Sequence, residues 1–176
     1  FQNDPKKEGF HMNFDLYMPF RLLTGRGCVS AHSAEFAKLG SKCLLVTSGS
    51  AAKKSGALHD VTAALEKEHI AWTLYDQVKP NPLLVDCKTA GEQGRAFGAQ
   101  FVVGIGGGSP LDTAKAAAVF AANDIEPLEI YKLGWKNRAL PLVLIGTPAG
   151  TGSEVPPFSV RTNPDGRQTS AGSEQS

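Results

Sequence analysis

Four short apolar runs recur along the chain, and a turn of small or polar residues follows each of them. Cys43-Leu-Leu-Val-Thr47 and the run at 101–105, Phe-Val-Val-Gly-Ile, are apolar without alternation. That is how a strand buried on both faces reads. Ala71-Trp-Thr-Leu-Tyr75 and the run at 140–145 predict two further strands. Between these runs the apolar positions fall at helical spacing. A short helix is expected over 30–39, with Ser30 as its cap and Gly40 as its stop. Leu58, Val61, Leu65 and Ile70 mark a second helix from Gly56 onward, and 83–97 and 109–122 predict two more. The stretch 14–29 mixes β-formers with Pro19, Gly25 and Gly27, which predicts one or two short strands with turns. A loop with a helical turn is expected over 124–138.

Short apolar strands alternating with helices of ten to fifteen residues predict an α/β domain, a parallel sheet with helices on both faces. Such a sheet binds ligands in the crevice at the carboxyl ends of its strands. The turns at those ends are Ser48-Gly49-Ser50, Pro80-Asn81-Pro82, Gly106-Gly107-Gly108-Ser109 and a longer cluster from Gly146 to Ser153. Four such turns at one rim predict one extended site.

Composition narrows the partners. The chain has 176 residues, 41% hydrophobic and 20% charged, enough to bury a single core. Its formal net charge is +1, with lysines and arginines scattered, so no electrostatic footprint for nucleic acid or an anionic membrane is present. Small molecules, or copies of itself, are the expected partners. Cys28, Cys43 and Cys87 are far apart and odd in number, which indicates neither a disulfide framework nor a zinc cluster. A reducing cytoplasm is the expected location. No apolar run approaches the roughly 20 residues that span a bilayer. Residues 1–11 are polar and aperiodic, open on Phe1-Gln2 like the remainder of a protease site, and run into His11-Met12; they read as an expression tag. The main domain is expected over 12–165, and 166–176 as a truncated hairpin or disordered tail.

The glycines at 106–108 sit where a strand becomes a helix. Missing side chains allow a sharp turn and a close approach to backbone amides, and the first turn of a helix has N–H groups without internal partners. With Ser109 at the cap and Pro110 at the first helical position, the turn suits a phosphate. A purely structural tight turn is the other reading of the same residues. The nucleoside triphosphate loop is excluded, since it needs Gly-Lys-Ser/Thr and Lys115 follows Ala114. The dinucleotide fingerprint Gly-x-Gly-x-x-Gly nearly matches from Gly104, but Ser109 stands in the last place. Asp124 follows a helix rather than a second strand, so it is no ribose-binding acid. The second cluster, Gly146-Thr-Pro-Ala-Gly-Thr-Gly-Ser153, offers hydroxyl and amide donors and no strong base, which suits holding a ligand better than proton transfer.

Taken together, Gly106-Gly-Gly-Ser-Pro-Leu-Asp-Thr-Ala-Lys115, Pro80-Asn-Pro82, Val46-Thr47 with its turn, and Ala149-Gly-Thr-Gly-Ser-Glu-Val155 resemble the iron-containing alcohol dehydrogenases. The resemblance covers nearly everything from Met12 to about Asp165. It implies a Rossmann-like domain of the dehydroquinate synthase-like fold. It further implies an NAD(P)-dependent alcohol and aldehyde oxidoreductase in which hydride passes between a nicotinamide and a metal-polarised alcohol. In the family an all-helical C-terminal domain carries an aspartate and three histidines for Fe²⁺ or Zn²⁺. Here His11, His32, His59 and His69 lie outside the matched motifs, so metal is expected only in the intact protein, and this chain is read as its cofactor domain without catalytic residues of its own.

Carried over by position, Gly107, Gly108 and Ser109 would hold the pyrophosphate, and Asp112 would lie beside the cofactor. Asn81 would lie near the adenosine ribose, and Thr147, Pro148, Thr151 and Ser153 along the nicotinamide half. Ser48, Gly49 and Ser50 occupy the turn where relatives that prefer NAD often place an aspartate; losing that carboxylate, with Lys53 and Lys54 nearby, predicts that NADP(H) is accepted and preferred. Gly146-Thr-Pro148 replaces the family's Pro-Thr-Thr, and Gln168 falls near where a cofactor-binding lysine is often found, so some family contacts are altered. A non-catalytic NADP(H)-binding module, and dehydroquinate synthase or glycerol dehydrogenase chemistry, are the alternatives. A homodimer through the N-terminal strands at 14–23 is also expected.

Overall fold

Lys42–Thr47 (β1), Ala71–Tyr75 (β2), Phe101–Gly106 (β3) and Leu142–Gly146 (β4) form one parallel sheet in the order β2-β1-β3-β4. The structure is a computed structural model that describes residues 21–132 and 135–147. The strands lie in tight register, with Val46 opposite Tyr75 and Gly104, and Gly106 opposite Gly146. β1 and β3 occupy the middle of the sheet and their apolar runs are fully buried, as continuous hydrophobicity demands.

Side chains alternate across the sheet and divide the core in two. Cys43, Leu45, Phe101, Val103 and Ile105 point to one face, where Val61, Ala64 and Leu65 of Ala57–Lys67 (α4) and Phe36 of Ala34–Ala37 (α2) cover them. Phe36 stacks on Phe101 with ring centroids 6.3 Å apart. Leu44, Val46 and Val102 point to the other face, against Ala90 of Leu84–Phe97 (α5) and Ala114, Ala117 and Ala118 of Gly108–Ala122 (α6). The expected Rossmann-like α/β layering, a parallel sheet with helices on both faces, is therefore present.

α5 and α6 pack closely through glycine. A Cβ on Gly91 would lie 2.5 Å from Phe120 Cβ and 2.9 Å from the Ala117 carbonyl oxygen. A Cβ on Gly104 would lie 2.7 Å from Ala114 Cβ, so α6 lies directly on β3.

Several local expectations are corrected. No strand occupies 21–29; a one-turn helix, Cys28–Ala31 (α1), stands there, ended by His32, whose ring Nδ1 lies 2.9 Å from the Cys28 carbonyl. The helix expected over 30–39 is broken between α1 and α2 at Ser33, whose hydroxyl donates to Glu68 at 2.6 Å and accepts from Lys67 at 3.2 Å. Those tertiary bonds outweigh the helical pattern. A short helix, Ser50–Lys54 (α3), follows β1 where only a turn was expected. The loop after α6 contains the expected turn as a 3-10 helix at Pro127–Tyr131, closed by a capping box between Glu126 and Glu129. The Glu126 backbone N–H bonded to it holds the Glu129 carboxyl below its ordinary value. The tag expected at 1–11, the strands expected at 14–20 and the tail expected at 166–176 lie outside the described residues.

Candidate functional site

The order β2-β1-β3-β4 makes β1 and β3 the switch point of the sheet. The chain leaves β1 through α3 and α4 on one face and leaves β3 through α6 on the other. Departure to opposite faces opens a crevice between the two carboxyl ends, where α/β sheets of this order take their ligands. Ser48-Gly49-Ser50 and Gly107-Gly108-Ser109 therefore face each other across neighbouring strands. Thr147 continues the same rim beyond β4, its N–H bonded to the Gly106 carbonyl at 3.1 Å. Asn81 follows β2 at the same end with φ 52°, in the left-handed region.

The three adjacent glycines are not equivalent. Gly106 has φ 141°, and a Cβ there would lie 2.8 Å from Pro110, so the turn itself requires glycine. Gly107 and Gly108 have no atom within 4 Å of a built Cβ, and neither has a positive φ. Neither packing nor backbone conformation accounts for them. What remains is an open cradle at the start of α6.

The helix begins earlier than expected: Gly107 is the N-cap and Gly108 the first helical residue, with no side chain capping the end. Ser109 and Pro110 thus lie inside the first turn, where the missing proline N–H still costs nothing. Ser109 accepts a 2.8 Å bond from the buried Thr113 hydroxyl through its carbonyl. Asp112 is exposed one turn along α6 and pairs with Lys115 at 2.6 Å, while Lys115 itself is 8% exposed. That pair fixes Asp112 on the outer surface of α6.

Thr147 lines a cavity of about 190 Å³ with Gly27, Cys28 and Asp60. Its hydroxyl is buried and without a partner among the described residues. Pro148, Thr151 and Ser153 lie outside the described residues, as does Gln168. A larger cavity, about 390 Å³, lies at the opposite rim around Arg95, Asn123 and Asn137. There Arg95 bonds the Phe120 and Asn123 carbonyls through Nη2 and pairs with Asp124 at 3.0 Å, which closes the end of α6 and leaves only its buried Nε without a partner among the described residues. Volume therefore does not mark the site here; topology does.

One feature of the rim escaped sequence reasoning. Asp76 immediately follows β2, and its Oδ2 lies 3.5 Å from Lys53 Nζ of α3. In the sequence it shows only as an acid directly after a predicted strand, and the fold alone brings the Gly49 turn beside it. Among the described residues no three His, Cys, Asp or Glu side chains come together as metal ligands. His59 and His69 are exposed, on α4 and just past its end.

Comparison with known proteins agrees with this geometry. The family model for iron-containing alcohol dehydrogenase matches residues 19–176. The chain is 42% identical over 124 residues to the long-chain primary alcohol dehydrogenase of Thermoanaerobacter ethanolicus, covering 69% of this chain and 31% of that protein. It is 34% identical over 155 residues to NADH-dependent butanol dehydrogenase B of Clostridium acetobutylicum, covering 88% and 40%. Among solved structures, an iron-containing alcohol dehydrogenase from Thermotoga maritima superposes with TM-score 0.70 at 36% identity, over 89% of this chain and 44% of that one. A sulfoacetaldehyde reductase from Bifidobacterium kashiwanohense, solved in complex with NAD+, superposes with TM-score 0.64 at 28% identity, over 90% and 43%. The chain thus spans 31–40% of the length of these two curated relatives. A family model that matches so much of this chain establishes that it belongs to the iron-containing alcohol dehydrogenase family.

Proposed function

We propose that the described domain binds a nicotinamide dinucleotide in the crevice between β1 and β3, as the cofactor-holding part of an alcohol or aldehyde oxidoreductase. The observation that carries the reading is the pair Gly107 and Gly108, two glycines that the fold itself does not require. In this reading the amides of Gly108 and Ser109 and the positive end of α6 face the pyrophosphate. Ser48-Gly49-Ser50, Asn81 and Asp112 border the adenosine side, and Thr147, with Pro148, Thr151 and Ser153, serves the nicotinamide side. When bound, the dinucleotide supplies or accepts the hydride. The chain's own residues orient it and keep its reactive end at the β4 side of the rim.

The described residues do not supply a metal site, so the steps that fall to them are those of binding and orientation. The names of the relatives support a primary alcohol or small aldehyde as the substrate class. The absence of a carboxylate at Ser48 supports acceptance of NADP(H) beside NAD(H).

The test separates binding from folding. Gly107→Ala and Gly108→Ala meet no atoms and adopt permitted conformations, so both variants are expected to melt within a few degrees of the parent. Calorimetric titration with NADH is expected to show at least a tenfold loss, since a methyl stands between the amides and the phosphate (about 1.4 kcal/mol per decade). Unchanged NADH affinity in both variants would return the glycines to an unexplained structural role and sink the reading.

A further inference from the structure

Asp76 lies at the carboxyl end of the edge strand β2, beside the turn that follows β1. Its backbone is held in place: Tyr75 before it and Val78 after it are buried, and the Val78 N–H bonds the Thr47 carbonyl at 3.4 Å. A Cβ on Gly49 would lie 3.0 Å from the Asp76 carbonyl oxygen and 3.9 Å from its carboxylate oxygen Oδ2. The carboxylate therefore borders the turn that holds Ser48, Gly49 and Ser50. Lys53 approaches the same carboxylate from α3 at 3.5 Å, and the two side chains are 59% and 39% exposed. An ion pair this exposed contributes little to the fold, so both groups remain available to a ligand.

Two-stranded βαβ units that bind dinucleotides read the ribose 2′ position with an acid at the end of the second strand. We propose that Asp76, paired with Lys53, is the residue that sets the preference between NAD(H) and NADP(H) in this chain. The assignment rests on the cofactor reading above. A 2′-hydroxyl finds an acceptor in the Asp76 carboxylate. A 2′-phosphate finds a cation in Lys53 but meets the negative charge of Asp76, and to use Lys53 fully it must displace that carboxylate. The pair is neutral as a unit, so the site tolerates both cofactors, and the balance between its two members decides the ratio. Ser48 supplies a hydroxyl and no charge, and so does not discriminate by itself.

The experiment is calorimetric titration of the chain with NADH and with NADPH, for the parent, Asp76→Asn and Lys53→Ala, with a thermal melt of each. Both side chains are exposed, so all three proteins are expected to melt alike. Removing one charge beside a phosphate predicts that Asp76→Asn raises the ratio of NADPH to NADH affinity by about 3- to 10-fold, and that Lys53→Ala lowers it by a similar factor. The two shifts are opposite in sign, which a general loss of site integrity would not produce. If the parent binds both cofactors and Asp76→Asn leaves the ratio within about twofold, the assignment to Asp76 falls and the cofactor reading stands. If the parent binds neither, the cofactor reading falls and takes the assignment with it.

Discussion

Cys43 sits on the central strand β1 with no exposed surface, and burial pushes its thiol up to about 12 from an ordinary 9.0. Burial raises Cys87 and Tyr75 in the same direction. The sign of the consequence follows from proton counting. Between pH 9.0 and about 12 the unfolded chain has lost the Cys43 proton while the folded chain keeps it, so unfolding releases protons and stability falls as pH rises through that window. Denaturant midpoints at about pH 8 and about pH 10.5 are expected to drop on the alkaline side. In Cys43→Ala the drop is expected to be smaller, even though the variant is weaker at both pH values from the cavity it leaves. At this scale the sequence was a partial guide. The spacing of the cysteines argues against a disulfide framework or a zinc cluster, and Cys43 and Cys87 stand as buried free thiols. Asp76 was not legible, because its importance comes from a turn 27 positions earlier that parallel pairing brings beside it.

At the scale of elements, β1, β3, α5 and α6 could be read with their ends within about a residue, and α4 with its start, although it stops at Lys67 and not at Ile70. Their signals are strong for a physical reason: strands buried on both faces are apolar throughout, and the long helices carry a stripe that faces the sheet. α3 was missed because Ser-Ala-Ala-Lys-Lys is short and mostly exposed, leaving no periodic stripe to detect. The strand expected near Val29 failed because β-propensity in so short a stretch is weaker than the local capping of α1 by His32. By propensity Gly91 weakens α5, yet it is the reason α5 can approach α6. Gly91→Ala is accordingly expected to destabilise the domain by about 1–3 kcal/mol by forcing the helices apart, despite alanine's better helix propensity. A chemical-denaturation series in which Gly91→Ala matched or exceeded the parent would show that the two helices are free to separate.

For the molecule as a whole, the alternation of strands and helices made the α/β layering legible, but the strand order had to come from the structure, because turns of similar composition end every strand. The order matters for stability as well as for the site. β1 and β3 are covered on both faces and paired on both edges, whereas among the described residues β4 pairs with β3 alone and is at most half-buried. Native-state hydrogen exchange is therefore expected to find the slowest amides in β1 and β3 and much faster exchange in β4, α1 and α2. Equal protection across the four strands would contradict that gradient. The switch point has one more consequence. The crevice is a seam: its β1 wall belongs to the stretch 42–75 and its β3 wall to the stretch 101–146, joined through the exposed Lys79-Pro80-Asn81 loop. Any molecule seated there would fasten two lengths of chain that are distant in sequence. It would act as a removable staple, so that a backbone cut in that loop leaves two complementary fragments whose reassembly the occupant of the crevice would favour.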